Sequence, residues 1–160
     1  KQFRPTRDLL HFSGLLLTGD TLDVFVCHLP SRSGGAKESE PYRLHAARIL
    51  YTEADSILNI RLHPQIIIMG DFNDYPTNKS IQKILEAESP PPTAPSPLKL
   101  YHLLARKAQS KNFGSYKYRG EWGLLDHLIV SGSLLNPANS FSTSENKATV
   151  SNLPFLLTED

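Results

Sequence analysis

The chain has 160 residues, enough for one domain with a real core, and its length alone calls for no second. With 39% hydrophobic and 21% charged residues it has the make-up of an ordinary globular protein. A net charge of +1 supplies no broad basic field, which argues against simple coating of nucleic acid and leaves an enzyme open.

Leu9 to Leu17 and Leu22 to Cys27 read as two strands joined by a hairpin turn at Gly19-Asp20. Asp23 to Cys27 is apolar at nearly every position, as expected of a strand covered on both faces. Cys27 is the only cysteine, which excludes an intrachain disulfide and a thiolate metal cluster. It reads as a small buried residue. A loop containing Gly34 and Gly35 leads into a helix, with Pro41 in its first turn and Ser39 or Glu40 as its cap. Leu44, Ala47, Tyr51, Ala54 and Leu58 form its buried stripe, and Arg43, Arg48, Glu53 and Asp55 fall off it.

Ile66 to Met69 is apolar and β-branched, the pattern of a central strand. Thr77 or Asn78 then caps a shorter helix that carries Ile81, Ile84 and Leu85. Glu88 to Leu98 is proline-rich and reads as an extended surface insertion. Tyr101 to Ala108 has a helical pattern, and Tyr116–Tyr118 and Leu128–Val130 read as further strands. Strands and helices interleave, which predicts an α/β fold with a mixed sheet. No apolar segment approaches the roughly 20 residues that span a bilayer. The chain begins Lys1-Gln2-Phe3 without an initiator Met, so the compartment, cytoplasmic or secreted, stays open.

Three polar groups fall at strand ends, where loops of a layered α/β fold converge over a rigid edge. His28 follows the strand ending at Cys27, Asp71 and Asn73 follow the strand ending at Met69, and Asp126-His127 precede Leu128. For Asp126 to meet the other two, its strand must run antiparallel to theirs. Asp71 and Asn73 are two apart, which aims both side chains the same way if the chain stays extended. A carboxylate can accept a proton from water or bind Mg²⁺, and the amide beside it can orient a phosphate oxygen. The same residues also favour a plain Asx-rich turn. His28 is suited to donating a hydrogen bond to phosphate or to carrying a proton. Arg32, Lys117 and Arg119 are candidate phosphate contacts or solvated charge, and Trp122 is a candidate stacking surface or core residue.

In this order the stretches VFVCHLPSR (Val24 to Arg32), RLHAA (Arg43 to Ala47), IIIMGDFND (Ile66 to Asp74) and YKYRGEWGLLDHLIVS (Tyr116 to Ser131) resemble the endonuclease/exonuclease/phosphatase family. The Gly-Asp-Phe-Asn block is the most specific of them. The resemblance implies a deoxyribonuclease I-like four-layered α/β sandwich, with two mixed β-sheets flanked by helices. It also implies attack of water on a phosphate ester with Mg²⁺, or Mn²⁺, as cofactor. In that scheme Asp71 orients or deprotonates the water, and Asn73 binds phosphate and, with Asp71, a second metal. His28 hydrogen-bonds the phosphoryl oxygens, helped by Arg32 and Lys117, and Asp126 holds a catalytic histidine. The substrate would be a nucleic acid, a phospholipid or a small phosphoester, because one fold serves many of them.

The chain departs from the family pattern twice. The family's principal metal ligand is a Glu well before the His-containing strand, and Lys1 to Asp23 contain no glutamate. The family ends on Ser-Asp-His, and this chain ends on Phe155-Leu156-Leu157-Thr158-Glu159-Asp160. His127 lies in an earlier block and reads as a neighbour of the site. Residues 1–160 are therefore expected to be one domain cut at both ends, with little activity alone and with exposed sheet edges that favour self-association. A non-catalytic binding module that keeps the fold is the alternative.

Overall fold

The computed structural model describes residues 7–151. Strand β1 (Leu10–Leu15) pairs antiparallel with β2 (Thr21–His28) through the hairpin expected at Gly19-Asp20. Along β2 every second residue is buried: Asp23, Phe25 and Cys27 lie beneath a helix, and Val26 on the other face is 41% exposed. The apolar run of β2 is thus fully covered on one face only. Leu10 and Phe12 pair with Val26 and Val24 and are exposed as well, so the open face is apolar. Burial pushes the Cys27 thiol up to about 12, as expected of an inert core cysteine.

The long helix, α1, spans Ala36–Ile60. It starts one residue after Gly35, so Pro41 sits in its second turn and not its first, and neither Ser39 nor Glu40 caps it. Ser39 instead donates its hydroxyl to the Gly35 carbonyl at 2.6 Å. The carbonyl that Pro41 cannot bond belongs to the exposed Lys37, where water can take it. The buried stripe is also rotated from the expected one. It runs Arg43, Ala46, Ala47, Leu50, Ala54 and Leu58, with Leu44 only partly covered. Its apolar residues pack on Phe25, Ile66 and Ile68 to form the main core.

Strand β3 (Gln65–Asp71) lies parallel to β2 and central in the sheet. Gly70 has φ 129, and a Cβ there would meet the Cys27 carbonyl oxygen at 2.0 Å. Glycine alone lets the end of β3 close onto β2. After β3 the expected short helix is a single π-helical turn, Ser80–Ile84, whose start no side chain caps. Tyr101 and His102, read from sequence as the start of a helix, instead lie in strand β4 (Leu100–His102). Tyr101 pairs there with Val130, so sheet pairing overrides the local helical pattern.

The hairpin of β5 (Tyr116–Tyr118) and β6 (Glu121–Gly123) turns through Arg119 and Gly120, both at positive φ, as a two-residue hairpin loop requires. Strand β7 (Asp126–Ser131) then returns antiparallel between β3 and β4. The five-stranded sheet has the order β1-β2-β3-β7-β4, with α1 on one face. A second core of Leu103, Leu104, Leu124, Val130 and Leu134 fills part of the other. These layers are those of the α/β sandwich expected from the sequence.

Candidate active site

Strand pairing brings three of the expected residues into one row. His28 pairs with Asp71 across β2 and β3, and Asp71 pairs with Asp126 across β3 and β7. Directly paired residues present their side chains to the same face. The antiparallel course of β7, needed for this meeting, is what the structure has. His28 and Asp126 are exposed and Asp71 is half-buried, so the row opens to solvent.

Asn73 joins the row by another route than strand alternation. β3 ends at Asp71, and Asn73 has φ 50, which folds its side chain back. Its backbone N–H donates to Asp71 Oδ1 at 2.8 Å, and its Nδ2 donates to the Leu29 carbonyl at 3.0 Å and to Asp71 Oδ2 at 3.3 Å. The stretch is thus an Asx turn and a candidate site at once. His28 Nε2 lies 3.6 Å from Asp71 Oδ2, close enough for ion pairing when the ring is protonated.

The loop is held from below by Asp74. Its buried carboxylate pairs with Arg43 Nε at 2.7 Å and accepts the Ser80 hydroxyl at 2.7 Å. Arg43 donates its other nitrogens to Ser39 Oγ at 2.7 Å and the Ala36 carbonyl at 2.8 Å. Sequence reading left Arg43 and Asp74 without a role. The available signal was periodic: Arg43, Ala47, Leu50 and Ala54 continue one stripe at four-three-four spacing, so Arg43 belonged to the buried face.

A buried histidine pair holds the same loop from the other side. Leu104 N–H donates to His102 Nδ1 at 3.1 Å, and His127 Nε2 meets the Asp74 carbonyl at 2.8 Å. With His102 Nε2 bonded to His127 Nδ1, one tautomer of each ring satisfies all contacts. His102 carries its proton on Nε2, and so does His127. Burial, aided by the neighbouring His127, pulls His102 down to about 3, and burial lowers His127 as well. Both rings are therefore neutral braces, in keeping with His127 as a neighbour of the site.

Arg32 also grips the loop. Its Nε donates to the Asn73 carbonyl at 2.7 Å, a second nitrogen donates to Asn78 Oδ1 at 3.0 Å, and its guanidinium lies 4.4 Å over the Tyr75 ring. Lys117, on the β5–β6 hairpin, stands 5.9 Å over the Trp122 ring, and Trp122 is half-buried. Among the described residues no three His, Cys, Asp or Glu side chains gather around one point for a metal. The row does offer hard oxygen donors in Asp71, Asn73 and Asp126. That set fits Mg²⁺, which commonly takes one or two carboxylates and keeps water and phosphate oxygens for the rest.

A mixed sheet under a helical layer, with a polar row at its strand ends, defines an α/β-sandwich protein. The sequence pattern described as "Endonuclease/Exonuclease/phosphatase family" matches residues 1–160, and the chain belongs to that family. Among solved structures, the catalytic domain of Xenopus laevis APE2 aligns with a TM-score of 0.53 at 18% identity, covering 79% of this chain and 46% of that one. Truncated Caenorhabditis elegans TDP2 aligns with a TM-score of 0.51 at 15% identity, covering 78% and 46%. The chain thus spans less than half the length of either, and at such identities the likeness is one of fold. No curated protein sequence matches it.

Two outcomes follow from the braces. Arg43→Ala leaves the buried Asp74 carboxylate only the longer contact with Arg32 at 3.5 Å and is expected to cost about 3 kcal/mol, with Arg43→Lys a poor substitute because it cannot fork. Urea unfolding measures both, and a cost below about 1 kcal/mol for Arg43→Ala would refute the brace. The lowered histidines contribute fully above the unfolded-state value of 6.5, and this contribution falls as pH drops below it, for His102 down to about 3. The fall is at most about 1.4 kcal/mol per pH unit for each ring. Urea midpoints between about pH 7 and pH 5 should drop less steeply for His102→Gln than for the wild type. Parallel slopes would show that burial of the pair is not what the acid attacks.

Proposed function

We propose that the chain carries the water- and phosphate-handling part of a Mg²⁺-dependent phosphoesterase. The observation that carries this reading is the row His28–Asp71–Asp126, with Asn73 folded onto Asp71. Asp71, its Oδ1 already engaged by a backbone N–H, uses Oδ2 to orient the attacking water and accept its proton. His28 donates to the phosphoryl oxygens as negative charge builds on them, and Asn73 holds the ester in line with the water. Asp126, exposed at the end of the row, would hold an imidazole by hydrogen bonding. Asp71 and Asn73 would hold the cation, which when bound neutralises charge on the phosphate. Lys117 completes the cationic rim, while Arg32 acts chiefly by fixing the Asn73 carbonyl.

With Asp71, Asn73 and Asp126 as oxygen donors and, among the described residues, no group of three metal-ligating His, Cys, Asp or Glu side chains, the 160-residue chain is expected to bind phosphate but turn over little. The same shortage favours the rival reading of a non-catalytic binding module. Both readings divide on one experiment. Binding of inorganic phosphate with Mg²⁺ should weaken at least about tenfold in His28→Ala and in Asn73→Ala, the loss of one charge-assisted contact. Unchanged binding in both variants would sink the site assignment. Turnover of a phosphodiester or a phosphomonoester, appearing only in a longer chain and lost in Asp71→Ala, marks the enzyme. Its absence there marks the binding module.

The apolar sheet face of Leu10, Phe12 and Val26 supports self-association of the 160-residue chain, face to face. Sedimentation velocity should show a concentration-dependent dimer that Phe12→Ser abolishes. A monomer at all concentrations would contradict this.

A further inference from the structure

The start of β7, where Asp126 stands, is held in part by a side chain from outside the five-stranded sheet. β4 accompanies β7 only along residues 129–131, and beyond it Leu103 N–H donates to the Leu128 carbonyl at 2.9 Å. Nearer the row β7 keeps β3 on one side, where Phe72 N–H donates to the Leu125 carbonyl at 2.8 Å. The Asp126 N–H finds its acceptor elsewhere. It donates to Ser115 Oγ at 3.1 Å, and the Leu125 N–H donates to the same oxygen at 3.3 Å. Ser115 lies just ahead of β5, and its own N–H donates to the Gly123 carbonyl at 3.0 Å, so the hairpin fixes it in turn. A Cβ on Gly114 would meet that carbonyl oxygen at 2.4 Å, and the bare glycine lets the segment come this close. Ser115 is half-buried, and both lone pairs of its hydroxyl are engaged by these two N–H groups.

We propose that Ser115 is a positioning residue for Asp126; the inference rests on the phosphoesterase reading above, in which Asp126 holds an imidazole. Asp126 is exposed, so little packing steers its side chain and the backbone sets its aim. The Leu125 peptide makes the hold a shared one. Its N–H is on Ser115 and its carbonyl is on Phe72, which follows Asp71 directly. Ser115 thereby ties the hairpin, Asp126 and the Asp71 loop to one another. A hydroxyl suits this task, because an aliphatic side chain cannot accept and a carboxylate would set a like charge against Asp126. Without the hydroxyl both N–H groups lose their acceptor, and the strand end drifts while the core stays packed.

The 160-residue chain tests the contact, and a longer chain that turns over a phosphoester tests its use. In the 160-residue chain, amide hydrogen exchange at Leu125 and Asp126 should quicken at least about tenfold in Ser115→Ala. It should return to near the wild-type rate in Ser115→Thr, which keeps the hydroxyl. Ser115→Cys, close in size but a weak acceptor, should lie between the two. Exchange at Ile68 and Ile129, in the core of the sheet, should stay unchanged and is the control for folding. In the longer chain Ser115→Ala should lower kcat at least about tenfold with KM moved by less than about twofold, and Ser115→Thr should restore it. Because Ser115 acts through Asp126, Ser115→Ala should cost nothing more in an Asp126→Ala background. Unchanged exchange in Ser115→Ala, or full additivity of the two substitutions, overturns the proposal. Quickened exchange beside a longer chain that turns over no phosphoester faults the phosphoesterase reading alone. Turnover that Asp71→Ala abolishes and Ser115→Ala leaves intact faults the positioning role alone.

Discussion

Everything at the polar end of the sheet hangs on one buried carboxylate. Asp74 is 2% exposed, and it meets Arg43 from α1, Ser80 from the π-turn and, through its own carbonyl, His127 from β7. Three separate elements are thereby tied to the residue after Asn73. A buried ion pair of this kind adds little net stability over an apolar pair, but losing one partner is costly because a charge is left in a dry place. Its contribution is therefore geometric: Arg43, Ser80 and His127 together fix one arrangement of the loop.

That arrangement sets what the exposed residues can do. Because Asp74 points inward, Asp71 and Asn73 are left at the surface, joined to one another and to the Leu29 carbonyl. The left-handed backbone of Asn73 is a strained conformation that the surrounding contacts over-determine, a common property of residues that act on ligands. Gly70 contributes by absence. Without a side chain it lets β3 approach β2, which brings His28 beside Asp71. Preorganisation of this sort serves electrostatic work on a phosphate, since the dipoles need not rearrange as charge develops.

The two histidines of the interior show how burial can make a titratable residue inert. His127 stands next to Asp126 in sequence, but β-strand alternation turns it into the core, against His102 and Phe72. Neighbours along a strand face opposite ways, so one becomes a surface acid and the other a neutral strut. Tyr75 is fixed by the same local structure, since Arg32 lies over its ring and β6 approaches it so closely that a Cβ on Gly123 would meet it at 2.8 Å.

The sequence by itself determined the central strand, the hairpin, the mixed α/β character and the three polar strand ends, because each is written in short-range pattern: alternation, turn residues and an apolar run ending in acids. It also carried the family, through blocks whose order is hard to reach by chance. Tertiary structure decided the rest. Pairing of Tyr101 with Val130 made a strand where the local pattern was helical. A turn at Asn73 replaced the extended geometry that its spacing suggested. Arg43 was classed with the surface charges of its helix until a carboxylate 31 residues away made its burial tolerable. A charge's place depends on where its partner lies in space, and a linear pattern holds no record of that distance.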